Sequence, residues 1–180
     1  PLVFELNGVG VGVNICEDIW YPGGPTEIQA LVGGAEVILN ISASPFHAEK
    51  ASHRERMLAT RAADNIAIVA YCNLVGGQDE LIFDGASVIF SATGDVLARG
   101  KPFEEDFVVA DLDVQEVFRR RLADPRRRQE RLTTQLPQPI HVVLPETPTR
   151  PKSMIPAAKP TPLLTGTAEI YAALTLGVRD

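Results

Sequence analysis

From Leu2 to Cys72, short apolar and β-branched runs alternate with longer stretches of helix formers, and this alternation leaves few folds open to the chain. Residues 2 to 6 and 9 to 15 are two such runs, separated by Asn7-Gly8, a dipeptide suited to a two-residue hairpin turn. Pro22 to Pro25 is a turn cluster. Thr26 to Val32 reads as a short helix, and Gly33-Gly34 ends it ahead of a strand over Glu36 to Ile41. After the loop Ser42 to Pro45, Ala48 to Asn65 has good helix formers, no internal Gly or Pro, and Leu58 and Ala62 four apart. Ile66 to Cys72 then has the length and composition of a fully buried strand. Strand-like segments recur at Ala86 to Phe90, Val96 to Arg99 and Phe107 to Leu112, and Asp113 is placed to cap a further helix. Elements of these lengths in this order predict an α/β sandwich with buried sheets.

With 180 residues, 45% of them hydrophobic, the chain can bury one sizeable core and begin a second domain. No apolar run approaches the ~20 residues that cross a bilayer, so a membrane span is excluded. The stretch after Pro1 has neither a basic n-region nor a continuous apolar h-region, and the start reads as a cut end rather than a signal peptide. Cys16 and Cys72 match no zinc-ligand spacing and are too few for a disulfide framework, which points to a reducing cytoplasm. The net charge of -6 divides into -12 over residues 1–118 and +6 over residues 119–180. Seven arginines between Arg119 and Arg131 either face phosphates or an acidic subunit, or form a solvated helix face. No aromatic is interleaved to stack on bases, so nucleic acid is not an expected partner. From Leu136 to Pro162, which holds 8 of the 14 prolines, apolar periodicity disappears and the chain reads as a linker. Ile170, Leu174 and Val178, four apart, then mark a helix over Ala168 to Val178.

Cys16 stands where an apolar strand meets Glu17-Asp18, so its thiol is expected at the C-terminal end of that strand, where α/β sheets place ligands. It is either a nucleophile or a small buried hydrophobe. Cys72 also ends an apolar strand but lacks an acidic pair, which favours packing. Glu17 and Asp18 repel a thiolate, so an activating base has to come from elsewhere. His47 and His53 are the local candidates for a Cys-His pair, or else surface and capping side chains; His141 lies in the proline-rich tail.

Cys16-Glu17-Asp18-Ile19-Trp20 after its strand resembles the nucleophile motif of the nitrilase, or carbon-nitrogen hydrolase, superfamily. Asn40 to His47 followed by Lys50 and Arg54, and Tyr71 to Glu80 continuing to Phe83-Asp84-Gly85-Ala86-Ser87, resemble the glutaminase domain of glutamine-dependent NAD synthetases. Glu169 to Leu174 through Asp180 resembles the opening helix of the synthetase domain that follows it. The resemblance implies the C-terminal part of a nitrilase-like α-β-β-α sandwich over 1–135, a proline-rich linker over 136–162 and the start of a synthetase domain over 163–180. It implies glutamine hydrolysis through a Cys16 thioester, with the Glu17 backbone N–H as an oxyanion donor and Ser44, Lys50 and Trp20 around the glutamine. The ammonia would convert deamido-NAD to NAD at the expense of ATP with Mg²⁺, bound outside this chain because no Ser-Gly-Gly loop precedes Asp180; no metal site is implied within it. The family's glutamate base and oxyanion lysine precede the cysteine, and Glu5, the single glutamate in the first fifteen residues, lies too close to be that base. On this resemblance the triad is truncated, the piece alone is inactive, and the intact protein is a homo-oligomer. A stand-alone nitrilase-type amidase or carbamoylase, or a non-catalytic oligomerisation scaffold, are the alternative functions.

Overall fold

Asn7 and Gly8 take φ angles of 49° and 79°, the positive values of a tight hairpin turn. They join β1 (Leu2–Leu6) to β2 (Val9–Ile15) in an antiparallel pair. The computed structural model describes residues 1–148, 153, 155 and 159–180. β3 (Val37–Ser42) runs parallel to β2, and β4 (Ile68–Asn73) runs parallel to β3 after the crossover helix α2 (Lys50–Asn65). β5 (Val75–Gln78) and β6 (Leu81–Asp84) form a separate hairpin. β7 (Val88–Phe90) extends the main sheet antiparallel to β4, and β8 (Val96–Arg99) follows antiparallel to β7. With β9 (Ile140–Val143), the order is β8-β7-β4-β3-β2-β1-β9.

The period-two alternation of the strands sorts their side chains. Ile38, Val69, Tyr71, Val88 and Phe90 pack with Leu58 and Ala62 of α2 in the main core. On the opposite face, Val37 and Ile68 are covered by Val117 of α3 (Val114–Ala123). Further along that face Ile15, Leu39 and Ile41 stand 66%, 38% and 58% exposed. This mixed α/β layer is that of the nitrilase-like fold expected from the motifs.

The short helix expected at Thr26 to Val32 is present, as one turn of α-helix, α1 (Pro25–Glu27), that runs into a π turn, Ile28–Val32. Phe107 to Leu112 forms no strand: Phe107 is 89% exposed, and the segment makes no ladder with β8, the edge strand that precedes it, a tertiary pairing that residue type alone cannot supply. Pro125 divides the arginine-rich helix into α3 and α4 (Pro125–Thr133), and Asp124 caps the second by accepting from the Arg126 and Arg127 N–H groups. The arginines are not all a solvated face. Arg121 donates to the carbonyls of Gly34, Ala35 and Ile66, and Arg127 to those of Ala30 and Asn65. Burial, then the charge of Arg127, lowers the Arg121 pKa to about 9, which leaves it protonated at neutral pH.

The proline-rich stretch contains β9, which pairs parallel with β1 and carries His141 on an exposed edge. Its β-branched Ile-His-Val-Val run sits between Pro139 and Pro145, and such flanking prolines suit a short edge strand. Residues 149–152, 154 and 156–158 of the expected linker lie outside the described residues. α5 (Gly166–Arg179) follows. Its Ile170, Leu174 and Val178 stripe is exposed, while Glu169, Ala173 and Leu176 face the protein. Among the described residues no helix is long and apolar enough to cross a membrane.

Candidate active site

Cys16 follows the last residue of β2 and opens a 3-10 turn, Cys16–Ile19. Its φ is 47°, a left-handed conformation that costs a non-glycine residue about 1–3 kcal/mol and persists only where neighbours enforce it. Two side chains do so. Asp18 Oδ2 accepts from the Ile15 N–H at 2.9 Å, and Asn40 Nδ2 donates to the Cys16 carbonyl at 3.3 Å. Asn40 lies opposite Asn14 in the β2–β3 register and donates to its Oδ1 at 2.7 Å, while Asn14 donates to Thr26 and Gln29. A buried amide ladder therefore underlies the cysteine, where an apolar strand interior would leave its backbone free to relax.

A cavity of about 260 Å³ is lined by Cys16, Glu17, Trp20, Ser44, Pro45 and Lys50. All five site residues expected from the motifs thus border one space. Lys50 Nζ donates to the Pro45 carbonyl at 2.8 Å and stands 5.6 Å from the centre of the Trp20 ring, within cation–π range. Burial, then the nearby Arg54 charge, lowers the Lys50 pKa, while Asp84 and Cys16 act in the opposite direction. Trp20 borders the cavity and also packs against the main core. Glu17 is the second residue of the 3-10 turn, where N–H groups have no intrahelical acceptor.

Ser44 is held from beneath. Its N–H donates to Asn73 Oδ1 at 2.9 Å, and Asn73 Nδ2 donates to Asp84 Oδ1 at 3.2 Å. Arg54 grips the same carboxylate through both terminal nitrogens, at 3.0 and 2.7 Å, with both side chains almost fully buried. Burial opposes the Arg54 charge, but the hydrogen bonds and charge of Asp84 outweigh it and raise the arginine's pKa. Asn14, Asn40, Asn73 and Asp84 received no role from sequence. The available signal was asparagine at strand positions otherwise filled by apolar residues, a type depleted in strands.

His47 and His53 are both exposed and border neither cavity that contains Cys16; the His53 ring lies 6.3 Å from that of Trp20. The Cys-His pair weighed from sequence is not formed. Cys72, expected as packing, is exposed, and with Cys16 it borders a second groove of about 730 Å³. Its register opposite Ile41 puts it on the uncovered sheet face. Glu5 pairs with Gly10 at the far end of β2, roughly 20 Å along the strand from Cys16. Among the described residues no group of three His, Cys, Asp or Glu side chains is disposed to hold a metal ion.

The carbon-nitrogen hydrolase family matches residues 2–121, and the chain belongs to that family. It is 53% identical over 129 residues to the glutamine-dependent NAD(+) synthetase of Aquifex aeolicus, covering 72% of this chain and 23% of that protein. To the glutamine-dependent NAD(+) synthetase of Thermotoga maritima it is 48% identical over 127 residues, 71% of this chain and 22% of that one. The solved glutamine-dependent NAD+ synthetase of Acinetobacter baumannii, in complex with ADP, superposes on 99% of this chain and 27% of its own, with a TM-score of 0.72 and 28% identity. The chain thus spans about a quarter of the length of these relatives.

Proposed function

We propose that this chain supplies the amide-hydrolysing cysteine of a glutamine-dependent NAD synthetase. The observation that carries the reading is Cys16, held at φ 47° at the mouth of a cavity bordered by Lys50, Ser44 and Trp20. The glutamine dependence of the related synthetases supports glutamine as the substrate.

The Cys16 Sγ attacks the side-chain amide carbon of glutamine while its proton passes to a base. The tetrahedral intermediate places its oxyanion at the Glu17 N–H, and the C–N bond breaks as the nitrogen takes up a proton and leaves as ammonia. Water then attacks the thioester, giving glutamate and the free thiol. Lys50 pairs with the α-carboxylate of glutamine, and the partly buried ammonium already carries part of the desolvation cost of that contact. Ser44 orients the substrate's backbone groups, and Trp20 closes the cavity against water. The base and a second oxyanion donor are a glutamate and a lysine outside residues 1–180, in line with the short span of the relatives that the chain covers. Residues 1–135, with β9 added to their sheet, form the hydrolase part, the rest of 136–162 is a linker, and 163–180 are the beginning of the part that consumes ammonia to amidate deamido-NAD.

Thiol labelling in the full-length polypeptide tests the reading. Cys72 is exposed and Cys16 only partly so, so accessibility alone makes Cys72 the faster thiol. A glutamine-like electrophile should label Cys16 first. Equal or faster labelling of Cys72 contradicts the proposal.

A further inference from the structure

Helix α2, which carries Lys50 and Arg54, starts without a cap of its own. Its N-cap residue Glu49 has φ 65°, makes no side-chain cap hydrogen bond, and is followed by no acidic residue in the first turn. The positive end of a sixteen-residue helix therefore meets the Lys50 cation without local compensation. Compensation comes from 120 residues away. Both oxygens of Glu169, in α5, accept from the Glu49 N–H, at 3.1 and 3.3 Å. Glu169 is only 3% exposed, and among the described residues its partner is this N–H rather than a cation. A carboxylate so buried is unfavourable unless the field around it favours negative charge, and the start of α2 supplies such a field.

The rest of α5 presses on the same corner. Ala173 and Leu176 join Phe103, against which Phe46 packs edge-on with ring centres 5.3 Å apart. Gly177 approaches Ile82 so closely that a Cβ there would lie 2.8 Å from it, and Phe46 N–H donates to the Ile82 carbonyl. The segment between Ser44 and α2 is thus pinned on its outer side by α5 and closed inside by the Lys50 N–H to His47 and the Lys50 Nζ to Pro45.

We propose that Glu169 is a positioning residue: by capping α2 from α5 it fixes the Glu49–Lys50 corner and with it the Lys50 ammonium at the Cys16 cavity. This rests on the reading of Cys16 and Lys50 given above. In the full-length polypeptide, Glu169→Ala should raise the KM for glutamine at least about fivefold while kcat and ammonium-dependent NAD synthesis change less than about twofold. Glu169→Gln keeps one oxygen to accept the Glu49 N–H and should restore most of the KM. A purely structural role predicts a lower melting temperature with no separation of KM from kcat. A KM for Glu169→Ala within about twofold of the parent overturns the proposal. Should that variant not fold, hydrogen exchange in the parent decides: a protected Glu49 amide is required, and exchange at the rate of a free amide overturns the cap. If Cys16→Ala retains glutamine-dependent synthesis, the reading of the cavity fails, and the Glu49 exchange rate still judges the cap by itself.

Discussion

Asn40 and Cys16 are joined by a hydrogen bond from the buried Asn40 amide to the Cys16 carbonyl, across the parallel pair β2 and β3. It holds the cysteine in a conformation that glycine alone adopts without strain. Cys16→Gly should therefore be more stable than Cys16→Ala by about 0.5–1 kcal/mol. Thermal melts of the two variants check this, and an alanine variant that melts at or above the glycine one would show an unstrained backbone.

Among the described residues, Lys50 is the single cation bordering the small cavity. Lys50→Ala should raise the KM for glutamine by at least about tenfold, or ~1.4 kcal/mol of lost binding, with a smaller change in kcat. Steady-state kinetics on the full-length polypeptide give the answer. An unchanged KM makes Lys50 an ordinary charge in a first helical turn.

Trp20 contributes to the cavity wall and to the core at once, so one substitution confounds the two roles. Trp20→Ala should lower both the melting temperature and glutamine turnover. Trp20→Leu refills part of the core contact but leaves the wall open, so it should recover the melting temperature and not the turnover. Recovery of both would assign Trp20 to the core alone.

Asp84 neutralises Arg54 beneath Ser44 with little water at either group. Asp84→Ala strands a buried guanidinium and should cost about 3–5 kcal/mol, seen as a large loss in denaturant midpoint. A loss below about 1 kcal/mol would mean that water or another carboxylate reaches Arg54.

Much of the fold was legible because its signals are local. Asn7-Gly8 specifies a turn, and the unbroken helix formers before Asn65 specify α2 to within two residues of its start. Phe107 to Leu112 carries a strand-like pattern and fails, because a strand also needs to pair, and pairing is a tertiary contact that no local pattern reveals. Arg121 and Arg127 look like surface charge for the same reason: the carbonyls they cap are brought to them by tertiary packing. At the site, Cys16, Glu17, Trp20, Ser44 and Lys50 were legible as motif members. What holds them was not, since Asn40, Asn73, Asp84 and Glu169 act across long sequence separations.

The most direct test of Cys16 uses the full-length polypeptide and two nitrogen sources. On the proposed mechanism the thiol releases ammonia from glutamine, whereas ammonium from solution bypasses that step. Cys16→Ala should lose NAD synthesis from glutamine by several orders of magnitude. Given deamido-NAD, ATP, Mg²⁺ and an ammonium salt, the same variant should make NAD at a rate comparable to the parent. A stand-alone amidase would make no NAD from either source, and a scaffold would leave glutamine-dependent synthesis intact. Undiminished NAD formation from glutamine by folded Cys16→Ala would contradict the assignment of Cys16 as the nucleophile.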